Sequence, residues 1–421
     1  MKILIVGSGG REHAIAYQLL NSPNVKEVFC SPGNGGTATL ARCHNLAVAV
    51  DDFAGIIQAV RDNDIDLVVV GPEIPLAMGI VDYLQQQEIA VFGPVKAGAK
   101  IEASKSWAKD LMREGKIPTA KFATFTGAAI AKKYIQQQGT PIVIKADSLA
   151  AGKGVIVAMT EAEATAAVDD LFGQGFSTLV IEEFLQGEEA SVLALTDGKT
   201  IIPLLPAQDH KRIGEGDTGK NTGGMGAYAP APLVTPDIME RIVTEVLQPT
   251  IDTLNHRGID YRGILYAGLM ITPKGEPKVV EFNCRFGDPE TQAVLPLLDT
   301  PLDELMLACV KGELADVNIR WKSGSAVCVV AAAGGYPDAY EKGKEIIGLD
   351  TVNDAIVFHA GTQLEGDRIL TNGGRVLGIT ALGNTLSEAI SQAYLAIAKI
   401  SFEDMYYRKD IGKKAEIRDE G

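Results

Sequence analysis

Ile3-Leu4-Ile5-Val6 is an unbroken apolar run that stops at Gly7-Ser8-Gly9-Gly10 and passes into a helical pattern over Arg11–Leu20. No other feature constrains the fold as strongly. A strand that is apolar at every position is covered on both faces, and a helix fed by the glycine turn supplies one of those covers. The pattern recurs. Val25–Cys30 closes on Ser31-Pro32-Gly33-Asn34-Gly35-Gly36, Leu67–Val70 on Gly71-Pro72-Glu73, and Ala90–Phe92 on Gly93-Pro94. This alternation predicts a doubly wound parallel sheet, which binds ligands at the carboxyl ends of its strands, where these loops lie.

The chain has 421 residues, enough for three domains at about 150 residues each. A helix is expected from Ser104 to Glu114, ended by Gly115 and Pro118. Strands Ile142–Ala146 and Gly154–Ala158 flank a tight Ala150-Ala151-Gly152-Lys153 turn, and Thr178–Phe184 forms another strand. Residues 207–232 read as a long Gly-rich polar loop with little regular pattern, the kind that carries function or is disordered. A helix over Asp237–Asn255 and strands at Leu265–Ile271 and Lys278–Phe282 complete an α+β centre. From about 320 the chain is strand-rich, with Ala326–Ala333, Ile356–Ala360 and Arg375–Ala381 before a last helix over Leu386–Ile400.

Lysines and arginines number 39 against 54 aspartates and glutamates, a net charge of −15. Such a surface excludes nucleic acid as the main partner, and an anionic ligand would need cations gathered locally. Five scattered cysteines form no C-x-x-C pair, so neither a disulfide framework nor a thiolate zinc site is expected. The opening apolar run is too short for a signal-peptide core, and Ala326–Ala333 is far below a membrane span. A cytoplasmic protein with no membrane partner is expected.

Several segments carry chemistry. Gly7-Ser8-Gly9-Gly10-Arg11-Glu12 follows a strand and opens a helix, so its amides and the helix dipole can receive an anion with Arg11 as counter-charge. It is not a dinucleotide fingerprint: Glu12 stands where the third glycine belongs, and no acid follows the second strand. A plain structural turn remains open there. Lys145 ends an apolar strand just before a small-residue hairpin, a pairing that suits phosphate better than a solvated lysine. Glu182-Glu183-Phe184-Leu185 with Glu188 and Glu189 ends a strand in acid, and by itself reads as a solvated turn. Glu281 and Asn283 lie two apart and share one strand face. Their hard oxygens suit a divalent cation bridged to phosphates, and Arg285 continues that face. Asp209-His210-Lys211-Arg212 and Asn221-Thr222-Gly223-Gly224-Met225 join cations to a glycine cluster and read as a substrate loop. The other histidines, His13, His44, His256 and His359, show no metal spacing and read as structural or surface groups.

Taken in order, Gly9-Gly10-Arg11-Glu12-His13-Ala14, Ser104-Lys105, Ile117-Pro118-Thr119-Ala120, Lys145-Ala146-Asp147, Ala150–Val155, Glu182–Glu189, Asn221–Tyr228 and Asn283–Gln292 resemble the glycinamide ribonucleotide synthetase family of ATP-grasp ligases over essentially the full length. Departures from the family pattern are Trp107, Ser148, Glu215 and Lys220.

The resemblance implies an ATP-dependent ligation of glycine to 5-phosphoribosylamine through glycyl phosphate, a step of purine biosynthesis. It implies ATP as co-substrate with Mg²⁺ or Mn²⁺, and a monomer or weak homodimer. Residues 1–103 would bind phosphoribosylamine, residues 104–319 would form the ATP-grasp with 123–190 as a mobile closing part, and residues 320–421 would complete the site. Lys105, Lys145, Gly152, Lys153 and Gly154 would contact nucleotide phosphates. Glu182, Glu183, Phe184 and Leu185 would hold adenine, and Glu188 or Glu189 the ribose. Glu281 and Asn283 would hold the metal. Gly9, Gly10, Arg11, Glu12, Gly71, Pro72 and Glu73 would face phosphoribosylamine, with Asn221, Thr222, Gly223, Gly224, Met225, Arg285 and Asp288 as further substrate contacts. Arg285, Lys145 and Asp209 are the catalytic candidates. Other readings are an ATP-grasp ligase for a different acid and amine, a nicotinamide oxidoreductase built on Gly7–Gly10, and a non-catalytic nucleotide-binding regulator.

Overall fold

The computed structural model describes residues 1–149 and 154–419. Five strands, β1 (Lys2–Gly7), β2 (Glu27–Pro32), β3 (Cys43–Asn45), β4 (Leu67–Val70) and β5 (Val91–Phe92), form the N-terminal sheet in the order β3-β2-β1-β4-β5. Every pairing in it is parallel, as the apolar runs require. Three-residue β3 was not anticipated, because two of its residues are exposed and it carries no apolar run. The strand order reverses between β1 and β4. Helix α1 (Gly10–Leu20) starts at that crevice, the place where doubly wound sheets take their ligands.

The helix Lys105–Glu114 follows, and the Ser104 hydroxyl caps it by accepting from the Trp107 amide at 3.2 Å. Strands Phe122–Phe125, Leu179–Glu183, Ile142–Ala146 and Val155–Ala158 then form an antiparallel sheet in that spatial order. Helices Ala128–Gln138 and Glu161–Gly173 cover it around a separate small core. A second antiparallel sheet runs Ile201–Pro203, Glu188–Thr196, Gly263–Ile271, Pro277–Asn283. The helix expected over Asp237–Asn255 is three pieces: Pro236–Arg241, a π-helical stretch Ile242–Leu247, and Gln248–His256. Pro249 has no N–H to give the preceding turn, so the hydrogen-bond register widens just before it.

The structure corrects the reading of 207–232 as an irregular loop. It contains strands Gln208–Asp209, Arg212–Gly214, Thr218–Asn221 and Gly226–Ala229. The first and last join the C-terminal sheet, in the order Gln208–Asp209, Gly226–Ala229, Ser325–Ala332, Arg375–Gly383, Ile356–His359. The first pairs with the last, and the last takes its other partner, Ser325–Ala332, from about a hundred residues downstream; strands of two to four residues are too short to show a period. Helix Leu386–Ile397 packs on this sheet. The hairpin Thr362–Glu365 with Arg368–Thr371 and the helix Lys413–Asp419 were not anticipated. Among the described residues no helix is long and apolar enough to cross a membrane. All five cysteines are buried free thiols, as expected from their spacing.

Candidate functional site

At the N-terminal crevice the loops after β1 and β4 meet around one carboxylate. Glu12 accepts from the Gly9 amide and from Arg11 Nε, both at 2.6 Å. A Cβ on Gly71 would lie 2.0 Å from Glu12 Oε1, so a side chain there would displace this carboxylate. Glu12 therefore stands in the third-glycine position because its side chain folds back to brace the turn. Arg11 is itself buried and donates through Nη1 to the Phe286 carbonyl at 3.1 Å, joining this loop to the central domain. Pro72 precedes the short helix Glu73–Met78, and Glu73 lies 3.5 Å from Arg285.

A buried cluster of charge occupies the centre. Lys145 lies 3.0 Å from Glu182 and donates to the Val280 carbonyl at 2.9 Å, linking the two central sheets. Lys109 lies 2.9 Å from the other oxygen of Glu182. Burial, with Lys145 adding to it, brings the Lys109 ammonium down to about 8 against the pull of Glu182. Lys105 donates to the Ser148 carbonyl at 2.8 Å. The Glu182 side chain is thus committed to two lysines, which leaves backbone groups of the strand end for any adenine. Glu183 accepts from the Lys121 amide at 3.0 Å, Phe184 is exposed, and Leu185 and Glu188 are half-buried. Gly154 is buried, whereas Gly152 and Lys153 lie outside the described residues.

Glu281 sits within the field of four cations from separate segments. Burial alone would raise its carboxyl, but Lys211, Lys145, Lys105 and Arg285 together hold it below the usual carboxylate range. Glu189 pairs with Lys211 at 2.6 Å, and Lys211 is also 3.9 Å from Glu281. Burial pushes Asp209 well up; Lys211 opposes this and Glu290, Glu189 and Glu281 reinforce it. Asn283 is buried and its Oδ1 accepts from Arg285 at 3.2 Å. The donor set is two hard oxygens on one strand face, which fits a cation that takes its remaining ligands from phosphates and water. It does not fit a cage built by protein alone, in keeping with the absence of a cluster of three or more acidic, histidine or cysteine ligands among the described residues. Arg285 also pairs with Glu102 at 3.0 Å.

Asp288 closes the third side. Arg375 lies 3.2 Å from its Oδ2, and Gln292 donates to its Oδ1 at 2.8 Å. Against burial, Arg375 and then Arg11 hold the Asp288 carboxyl down. The Thr222 hydroxyl and amide both donate to the Lys211 carbonyl, at 2.9 and 2.7 Å. The Gly223 amide donates to the Tyr336 hydroxyl at 3.0 Å. Asn221 ends a strand, while Met225 is fully buried in the C-terminal core, so a ligand would meet its backbone only. Lys220 pairs with Asp338 at 2.8 Å on the surface. Lys109, Glu102 and Arg375 were missed from the sequence. Only Lys109 left a signal there, one helical turn after Lys105 on the same face.

Residues 1–102, 103–291 and 326–414 match the N, ATP-grasp (A) and C domain models of phosphoribosylglycinamide synthetase. The chain is 60% identical to a phosphoribosylamine–glycine ligase of Synechocystis sp., covering 99% of this chain and 100% of that one. It is 61% identical to the protein of that name from Nostoc sp., over 98% and 99%. The crystal structure of phosphoribosylamine–glycine ligase from Thermotoga maritima matches with a TM-score of 0.84 at 34% identity, over 98% and 100%. The biotin carboxylase domain of Hydrogenobacter thermophilus 2-oxoglutarate carboxylase shares the fold at 16% identity, with a TM-score of 0.76 over 100% and 95%.

Proposed function

The chain belongs to the phosphoribosylglycinamide synthetase family, and we propose that its cleft joins glycine to 5-phosphoribosylamine with conversion of ATP to ADP and phosphate. The observation that carries this reading is the convergence of Lys105, Lys145, Lys211 and Arg285 on Glu281. A protein of net charge −15 thereby gathers four cations from separate segments at one place, as transfer of a phosphoryl group between anions requires.

A carboxylate is a poor acylating agent because it has no good leaving group. One glycine carboxylate oxygen attacks the γ-phosphorus of ATP, the bond to the β-phosphate oxygen breaks, and ADP leaves. The ribosylamine nitrogen then attacks the acyl carbon of glycyl phosphate, phosphate departs with the C–O electron pair, and the nitrogen gives up one proton to solvent or to the departing phosphate. Lys145 is held in place by Glu182 and the Val280 carbonyl, so its charge is oriented before substrate arrives. Arg285, fixed by Glu102 and Glu73, offers a second oriented cation. Glu281 and Asn283 would hold Mg²⁺ or Mn²⁺, which supplies charge neutralisation when bound. The crevice at Gly9, Gly10, Arg11 and Gly71 receives the phosphate of phosphoribosylamine. The protein acts on small molecules, in the cytoplasm, as a monomer or weak homodimer.

The test is ADP release with ATP, glycine and freshly made phosphoribosylamine, each substrate omitted in turn. Turnover that needs all of them supports the reading. Turnover indifferent to glycine, or supported better by another acid, overturns it in favour of a ligase with other substrates.

A further inference from the structure

We infer that Arg375, from the C-terminal sheet, is a positioning residue that latches the cleft against water while the acyl phosphate awaits the amine. The inference rests on the ligase reading above. Arg375 opens the strand Arg375–Gly383, yet its guanidinium reaches out of that sheet into the cleft wall. Nη1 donates to the Gly223 carbonyl at 2.6 Å and to the Asp288 carbonyl at 2.8 Å, while Nη2 lies 3.2 Å from Asp288 Oδ2. One side chain thus ties together the glycine-rich segment and the loop that follows Glu281 and Asn283. The N-terminal crevice adjoins them: a Cβ on Gly9 would stand 3.5 Å from Asp288 Oδ2.

The glycine pair is shaped around this contact. A Cβ on Gly223 would come within 2.8 Å of the guanidinium carbon. Gly224 has φ +113°, and a Cβ there would lie 2.4 Å from Pro289. With its guanidinium committed to two carbonyls and one carboxylate, its part in this inference is to hold the wall. A planar fork with five donors spans two carbonyls and a carboxylate in fixed geometry, whereas a lysine ammonium offers three donors from a single point.

Loosening this wall admits water to glycyl phosphate. The water oxygen would attack the acyl carbon, the C–O bond to phosphate would break, and phosphate would leave with that electron pair. The water proton goes to solvent and glycine is regenerated, so the net reaction is ATP plus water to ADP plus phosphate. A latch therefore shows itself in coupling, which a merely structural residue would not change.

The experiment compares ADP formed with ligated product formed, at saturating substrates, for the wild-type chain, Arg375→Met and Arg375→Lys. A coupled ligase gives one ADP per product. For Arg375→Met the ratio is expected to rise about twofold or more, with Arg375→Lys in between, because water exclusion is lost by degrees. Melting curves verify that each variant is folded. A fall in rate with the ratio still at one in both variants overturns the inference. Should Arg375→Met fail to fold, the ratio for Arg375→Lys decides in the same way. Wild-type ADP release that does not depend on glycine and phosphoribosylamine overturns the ligase reading itself, a result seen without any variant.

Discussion

Lys145 and Glu182 form an ion pair 3.0 Å across with both side chains almost entirely out of solvent, and Lys109 shares the same carboxylate from its other side at 2.9 Å. Two ammonium groups share this one carboxylate, with Glu281 and Glu183 as the further anions in their field. An arriving phosphate would add to that balance, and losing Glu182 would upset it. Glu182→Gln removes the shared counter-charge. We expect a loss of about 3–5 kcal/mol of stability and a raised KM for ATP. Denaturant unfolding and ATP titration check this; an unchanged unfolding midpoint would contradict the buried cluster.

Gly71→Ala places a methyl group where Glu12 Oε1 lies, 2.0 Å from it. Displacing that carboxylate releases the Gly9 amide and Arg11 together. The expected result is a KM for phosphoribosylamine raised about tenfold, the loss of one or two anion contacts, with the KM for ATP unchanged. Arg11→Ala should move the same constant in the same direction. Steady-state kinetics with each substrate varied separately would expose the error if ATP use suffers equally.

Glu281→Ala is expected to abolish ATP-dependent ligation while leaving the fold intact. The Glu281 side chain is 39% exposed and contributes little to the core, but four cations lose a shared anion and the proposed metal site would lose one of its two protein oxygens. Full activity in this variant, at any Mg²⁺ or Mn²⁺ concentration, would remove it from the metal site.

Three histidines set an acid limit. Burial holds His13 down to about 3, with His359 adding to it, and burial brings His210 and His359 to about 4. His13 cannot protonate cheaply because its Nδ1 accepts from the His359 amide at 2.8 Å. In the unfolded chain these groups bind protons near pH 6.5, so the unfolded state takes up more protons as pH falls from about 6.5 to about 4. Stability is therefore full above that window and declines through it, by about 1.4 kcal/mol per pH unit for each histidine. Urea midpoints at a series of pH values test this. His359→Gln should flatten the decline, and a decline that starts only below pH 5 would assign it to carboxylates instead.

Much of the candidate site was legible in the sequence because its parts sit at strand ends. Gly7–Gly10, Gly71–Glu73, Lys145 and the Glu281, Asn283, Arg285 series each close an apolar strand, and the termini of such strands are where backbone groups and side chains face a ligand. The strands Leu67–Val70 and Ile142–Ala146 have the limits their apolar runs dictate. The segment 207–232 was not legible. Gly226-Ala227-Tyr228-Ala229 shows no alternation, and it becomes a strand only because Ser325–Ala332 offers it a buried ladder.

What the sequence determined by itself was local: apolar runs that form strands, glycine turns that open helices, and the family pattern that links those turns to a reaction. What only the tertiary structure decided was which charges meet. Lys109 with Lys145 on Glu182, Glu102 on Arg285, and Arg375 on Asp288 are all pairs from distant segments. A charged side chain looks the same in a sequence whether it is solvated or buried. Its partner, and with it the strength and orientation of its field, is fixed only when packing removes the water between them.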